Sequence, residues 1–243
     1  MGVLMGVRTA TPLEFADDAS RPRAELFEAL KTIDPEAAAA AAAPEGSGVT
    51  PLRYLRCLDE LSSTSSLGFR IDACRTLVGA TQVGHRADGG RLEELPLSGG
   101  KTLATLREEA DIEEAFCTFF QRDGQLAEAA LTKLQAVIAA LKRSPFFAQH
   151  VFLRSQLLIV YDDEARTSSL DLKLLNFAFS YELKGAKDGA AVPKELTHTE
   201  PWDGTVHSHE DGYMTGMLNL ERVLQAVCAK LPAASFKLSP VGS

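Results

Sequence analysis

The densest run of residues able to do chemistry is His207-Ser208-His209-Glu210-Asp211, with two imidazoles and two carboxylates in five positions. Such a run could ligate a transition metal. It directly precedes Met217, Leu220, Leu224 and Val227, whose spacing predicts a helix. A polar loop entering a helix explains the run better, with Asp211 near the amino terminus complementing the helix dipole. The four cysteines, Cys57, Cys74, Cys117 and Cys228, form no C-x-x-C pair and no zinc-like spacing, so free thiols in a reducing compartment are expected. The opening Met-Gly lacks the rest of a myristoylation signal, because position 6 is Gly where that motif requires Ser or Thr.

The formal charge of −8 argues against nucleic acid or an anionic membrane as a partner held by bulk electrostatics, since such binders cluster excess Lys and Arg. A polyanion would need a local pocket. No stretch reaches the roughly 20 apolar residues that span a bilayer, and the first residues lack the apolar run and cleavage site of a signal peptide. Cytosol or nucleus is the expected location.

The elements that must position any site can be read from periodicity. Leu26, Leu30 and Ile33 predict an amphipathic helix over 23–33, which runs into seven alanines, Ala37 to Ala43. That run is either a helix extension or a low-complexity insertion ending in a loop, and the insertion is the expectation. Leu52, Leu55, Leu58 and Leu61 predict a helix over 51–61. A Ser/Thr turn and a strand over 67–77 should follow, then an irregular excursion over 79–100 with six glycines. Helices are predicted over 107–121 and 125–142, and strands over 151–161 and 170–179 joined by the polar DDEARTSS. A long loop to about 211 leads to the closing helix. This order predicts an α+β domain with an antiparallel sheet.

Five segments, in order, resemble the inositol polyphosphate kinase family, most closely its inositol trisphosphate 3-kinase branch. MGVRT (Met5 to Thr9) is similar to the end of P-x-x-x-D-x-K-x-G, and SSTSSLGFRI (Ser62 to Ile71) to S-S-x-x-L-G-F-R-I. FFAQHVFLRSQLLIVYDD (Phe146 to Asp163) is similar to the segment bearing S-S-L-L. LKLLNF (Leu172 to Phe177) resembles the I-D-F strand, and EDGYMTGMLNL (Glu210 to Leu220) resembles D-G-Y-x-x-G-L-x-N-L. The resemblance implies ATP- and Mg2+-dependent phosphoryl transfer to an inositol phosphate, on a protein-kinase-like fold. Residues 1–243 would form one partial domain, with 10–61 as a helical inositol-phosphate-binding insertion and 62–231 as the carboxy-terminal lobe. The amino-terminal ATP lobe is expected to be missing, since only Met1 to Leu4 precede the MGVRT match.

Residue by residue, the resemblance places the D-x-K pair on Gly2 and Leu4, so neither a carboxylate nor an ammonium serves the transferred phosphoryl group. The magnesium-binding aspartate becomes Asn176, which lacks the anionic oxygen that a hard dication favours. Beside the nucleotide, Ser155 is kept but Gln156 replaces the second serine. On the substrate side Tyr54, Arg75 and Lys101 match, whereas Pro51 and Leu58 replace a lysine and an arginine. Arg53, Arg56 and Arg75 are the candidates for a reduced basic pocket, because forked guanidinium groups suit phosphate. Arg56 would compensate for Leu58 only if it pointed the same way. Arg70 is expected to be structural and Trp202 a packing anchor. The expected function is therefore a catalytically impaired or incomplete family member. The alternative is a noncatalytic inositol phosphate sensor or a protein-binding scaffold.

Overall fold

The structure is a computed structural model that describes residues 1–17, 21–43, 48–78, 91–95, 97, 102–183, 195–200, 202–205 and 209–231. In chain order its elements begin with β1 (Gly2–Met5), α1 (Pro12–Asp17), α2 (Ala24–Ile33), α3 (Pro35–Ala41), α4 (Pro51–Leu61) and α5 (Thr64–Leu67). There follow β2 (Phe69–Ala73), β3 (Arg75–Val78), β4 (Arg91–Glu94), α6 (Glu109–Phe119), α7 (Gly124–Lys142) and α8 (Pro145–Ala148). The last are β5 (His150–Val151), β6 (Gln156–Val160), β7 (Asp171–Leu175), β8 (Tyr181–Glu182) and α9 (Tyr213–Lys230).

Local chemistry explains four of the helix starts. Asp34, Thr50, Asp123 and Ser144 each accept a backbone N–H of the first turn that has no partner inside the helix, and Pro35, Pro51 and Pro145 occupy first helical positions. Ala37 to Ala41 of the alanine run are helix, within α3. Asp34 ends α2 and caps α3, and Ala38 and Ala41 are buried with Leu30 and Val49 in a small core that Tyr54, Cys57, Leu58 and Leu61 of α4 complete. Alanine is the best helix former and lets the helices approach closely.

The main sheet is antiparallel in the order β2-β1-β6-β7. The expected β6–β7 hairpin is present. Its central strand β1 escaped the sequence reading, because four apolar residues show no alternation that marks a strand. The segment expected as one strand over 67–77 divides at Cys74 into β2 and β3, and β4, which pairs with β3, lies inside the predicted excursion. The segment over 151–161 divides too, into β5 and β6, with Arg154 between them at φ 54°.

Alternation gives the main sheet two faces. Val3, Met5, Phe69, Ile71, Leu157 and Ile159 point inward and join Phe116, Leu134, Leu220 and Leu224 of α6, α7 and α9 in the principal core. Each such side chain contributes about 1.5–3 kcal/mol relative to exposure. Helix α9 lies unusually close to the turn before β2: a Cβ on Gly216 would fall 2.1 Å from the Gly68 carbonyl oxygen, so only glycine fits. Gly2, Leu4, Arg70, Asp72, Gln156 and Leu158 form the outer face.

Candidate functional site on the outer face of the sheet

Leu4 stands in register with Arg70 on one side and Gln156 on the other. Arg70 is buried, donates to Asp59 Oδ1 at 3.0 Å and to Thr64 Oγ1 at 3.3 Å, and lies 3.6 Å from Asp72. Gln156 Nε2 donates to Asp72 Oδ2 at 2.9 Å. Asp59 also accepts from Thr9 Oγ1. Burial pushes the Asp59 carboxyl up to about 6, while the hydrogen bonds from Thr9 and Arg70 pull it down. This ladder ties α4 to the sheet and engages Arg70, which is structural as expected.

Beside it, at the start of β1, opens a cavity of about 660 Å3 lined by Gly2, Ala73, Arg75, Gln156 and Leu158, with Asp162, Asp163 and Glu164 among its polar residues. Arg75 is the one cationic side chain lining it among the described residues. Three carboxylates against one guanidinium make a poor host for a polyanion. Cys74, also at this cavity, is no ready nucleophile, because burial pushes its thiol up to about 11.

The structure thus brings Gly2, Leu4, Arg75 and Gln156 together at the outer face and separates them from the other expected site residues. Ser155 is fully buried, on the opposite side of the chain from Gln156. Tyr54 packs on the α2–α3 core. Arg53 and Arg56 line a different cavity. Arg56 stands two residues from Leu58, about 200° around the helix, so it does not take over at that position. Lys101, His207 and Ser208 lie outside the described residues. Trp202 is the expected anchor, edge-on to Phe15 at 5.9 Å.

Asn176 follows β7, one residue past the Leu175–Gln156 pair, in the left-handed region at φ 62° that Asn tolerates, and its Nδ2 donates to the Arg154 carbonyl at 3.2 Å. It offers one neutral oxygen, and among the described residues no group of three His, Cys, Asp or Glu side chains could hold a metal ion. This donor set does not fit Mg2+, which favours anionic oxygens. The adjoining surface is aromatic: Phe177 and Phe179 are exposed, and the Arg154 guanidinium lies 3.8 Å from the Phe179 ring centroid.

Asp211 does more than complement a helix dipole. It is fully buried, accepting from Phe152 N (2.8 Å) and Tyr213 N (2.9 Å), and lies 2.8 Å from His198 Nδ1. Glu210 instead accepts from the Thr197 amide and hydroxyl. Sequence reasoning missed His198. Its nearest signal is its place in LTHTEPW just before the Pro-Trp already singled out.

The inositol polyphosphate kinase family model matches residues 15–225. The chain belongs to the inositol polyphosphate kinase family. Among relatives it is 28% identical to inositol-trisphosphate 3-kinase A of Mus musculus over 93% of this chain and 43% of that protein. It is 26% identical to the inositol-trisphosphate 3-kinase homolog of Caenorhabditis elegans over 93% of this chain and 39% of that one. The chain therefore spans about two fifths of the length of these two relatives. In fold it is similar to the inositol phosphate multikinase of S. cerevisiae, solved with ADP and Mn2+. The TM-score is 0.50 at 15% identity, with 93% of this chain and 76% of that one covered.

A carboxylate at position 176 alone is not expected to confer phosphoryl transfer on this chain. Asn176→Asp is expected to yield no phosphorylation of inositol 1,4,5-trisphosphate from radiolabelled ATP and to cost about 0.5–1.5 kcal/mol through loss of the bond to Arg154. Measurable turnover in this single variant would show that the outer face binds nucleotide in a way its donors do not suggest.

Proposed function

We propose that this chain is a catalytically impaired inositol polyphosphate kinase family protein, serving as an inositol phosphate sensor or a protein-binding scaffold in the cytosol or nucleus. One observation carries this reading. At the outer face, where the resemblance puts the reacting groups, Gly2, Leu4, Gln156 and Asn176 are all uncharged, and the adjoining cavity opposes three carboxylates to Arg75. Phosphoryl transfer relies on cations and metal to offset charge developing on the moving group. ATP and Mg2+ would find little to hold them, and an inositol phosphate would rest chiefly on Arg75. Such binding would be weak and salt-sensitive.

A second reading is an active kinase whose remaining portion lies in polypeptide beyond this chain. The part-coverage of the curated relatives and of the multikinase structure favours it. One experiment separates the two: incubation with radiolabelled ATP, Mg2+ and inositol 1,4,5-trisphosphate, for this chain and for any longer natural product containing it. Product at background in both supports impairment. Turnover by either that disappears on Asn176→Ala overturns it.

A further inference from the structure

The arginines of α4 serve a different place. A cavity of about 480 Å3 lies between α3 and α4, lined by Arg53, Arg56 and Glu60, an alanine wall that includes Ala40, and Arg107 from the segment before α6. Arg53, Arg56 and Glu60 fall at i, i+3 and i+7, one face of α4. The stripe of Pro51, Tyr54 and Leu58, at which the family resemblance places substrate contacts, lies nearly half a turn round the helix. The cavity is lined by three guanidinium groups against one carboxylate, on a chain whose formal charge is −8.

The three arginines are not equivalent. Arg53 Nη1 donates to the Ala41 carbonyl at 3.3 Å, which fixes the side chain along the end of α3 and leaves other N–H groups of its fork available. Arg56 leans away, with Nη2 3.5 Å from the Gly204 carbonyl and its guanidinium over Phe15. Arg107 is exposed and is brought to the far end of α4 by the bond from Ser63 N to the Leu106 carbonyl, at 3.1 Å. From Arg53 to Leu61 α4 rises roughly 12 Å. Two guanidinium groups thus stand at opposite ends of a cavity with a small-residue wall, and suit an elongated small molecule with an anionic group at each end.

We propose that this cavity binds a small soluble polyanion carrying two or more phosphate groups, held by Arg53 and Arg107 with Arg56 at the rim. The site is separate from the outer-face cavity and does not depend on the function proposed above. The acidic surface of the rest of the chain disfavours an anionic membrane as the source of those phosphates.

The test uses the full chain and inorganic tripolyphosphate as the probe, followed by the arginine Nε–Hε resonances in NMR at low salt. Expected are shifts of the Arg53 and Arg107 signals with one common midpoint. Arg107→Gln should weaken binding roughly tenfold, as loss of one partly exposed charge-assisted contact should. Ala40→Glu, which sets a carboxylate in the wall, should weaken it at least as much. Since Ala40 is exposed in a helix, this variant should fold, which the unchanged remainder of the spectrum would show. Because Arg75 has its own signal, the outer-face cavity is read separately in the same titration. Shifts confined to Arg75, no saturable shift at Arg53 and Arg107, or an unchanged midpoint in both variants would each overturn the proposal.

Discussion

Asp211→Ala is expected to destabilise the protein by roughly 3–5 kcal/mol, the range for removing one partner of a buried ion pair. His198 and Asp211 are both essentially inaccessible to solvent. His198 Nδ1 faces the Asp211 carboxylate and Nε2 faces the Phe147 carbonyl, each at 2.8 Å. The Phe147 carbonyl can only accept, so Nε2 carries a proton, and a proton on Nδ1 facing the Asp211 carboxylate makes the side chain an imidazolium below its raised pKa. Burial alone would lower its pKa. The hydrogen bond and charge of Asp211, aided by the Phe147 carbonyl and Glu210, outweigh burial and raise it above the ordinary 6.5. The Phe147 ring stacks on the imidazolium at 3.8 Å. Asp211 also holds Phe152 N, and its carbonyl accepts from Val7 N (2.8 Å) and Arg8 N (3.2 Å), so the pair joins β1, α8, the start of β5–β6 and α9. In the alanine variant the imidazolium loses its counterion and Phe152 N its acceptor. The sign of the pH dependence follows from the raised pKa: the pair's stabilisation is fully present below about 6.5 and fades as pH rises through the higher folded value. Urea unfolding across pH 6–9 should show this decline in the natural sequence and a flatter profile in Asp211→Asn. A natural profile that rises over that range, or a loss below about 1 kcal/mol in Asp211→Ala, would mean that the histidine is neutral.

The pair also shows where sequence reasoning stops. Helices α2, α4, α7 and α9 were legible because a one-sided apolar stripe at spacings of three and four has no other stable use. The β6–β7 hairpin was legible because strand formers flank a polar run. Strand β1 was not: Gly2 to Met5 acquires its two faces only by lying between β2 and β6. The alanine run was ambiguous because alanine marks no face, and burial against Leu30 decides which side it uses. His198 and Asp211 stand 13 residues apart, and nothing in their spacing says that one buried carboxylate will hold a ring nitrogen and two amides. At the site, the assignment of catalytic positions to Gly2, Leu4 and Asn176 is what the family resemblance implies, and the structure places these residues along one sheet face. The candidate arginines of the basic pocket line two different cavities, and helix arithmetic anticipates part of that. Arg56 is nearly opposite Leu58, and Arg75 reaches the outer-face cavity from a separate strand.

The same geometry predicts that positions 2 and 4 will not accept charged side chains equally. Gly2→Asp should fold with a change within about 1 kcal/mol, since its added Cβ meets only the Ala73 carbonyl oxygen at 3.8 Å and the side chain enters the cavity. Leu4→Lys should lose roughly 2–4 kcal/mol, because it buries an ammonium at a site 5% exposed. Its in-register neighbour on β2 is Arg70, already a cation, and the nearest carboxylates are engaged: Asp59 by Arg70 and Thr9, and Asp72 by Arg70 and Gln156. The new lysine therefore meets like charge without a free counterion. Urea midpoints for the two single variants and the double variant test this directly. If Leu4→Lys matched the natural chain in stability, the ladder would have released a carboxylate to it, and the outer face would still be arranged to hold a phosphate-binding lysine. If it fell as expected while Gly2→Asp did not, the leucine would be part of a packed sheet face, and seating a lysine there would require rebuilding the Arg70 network as well.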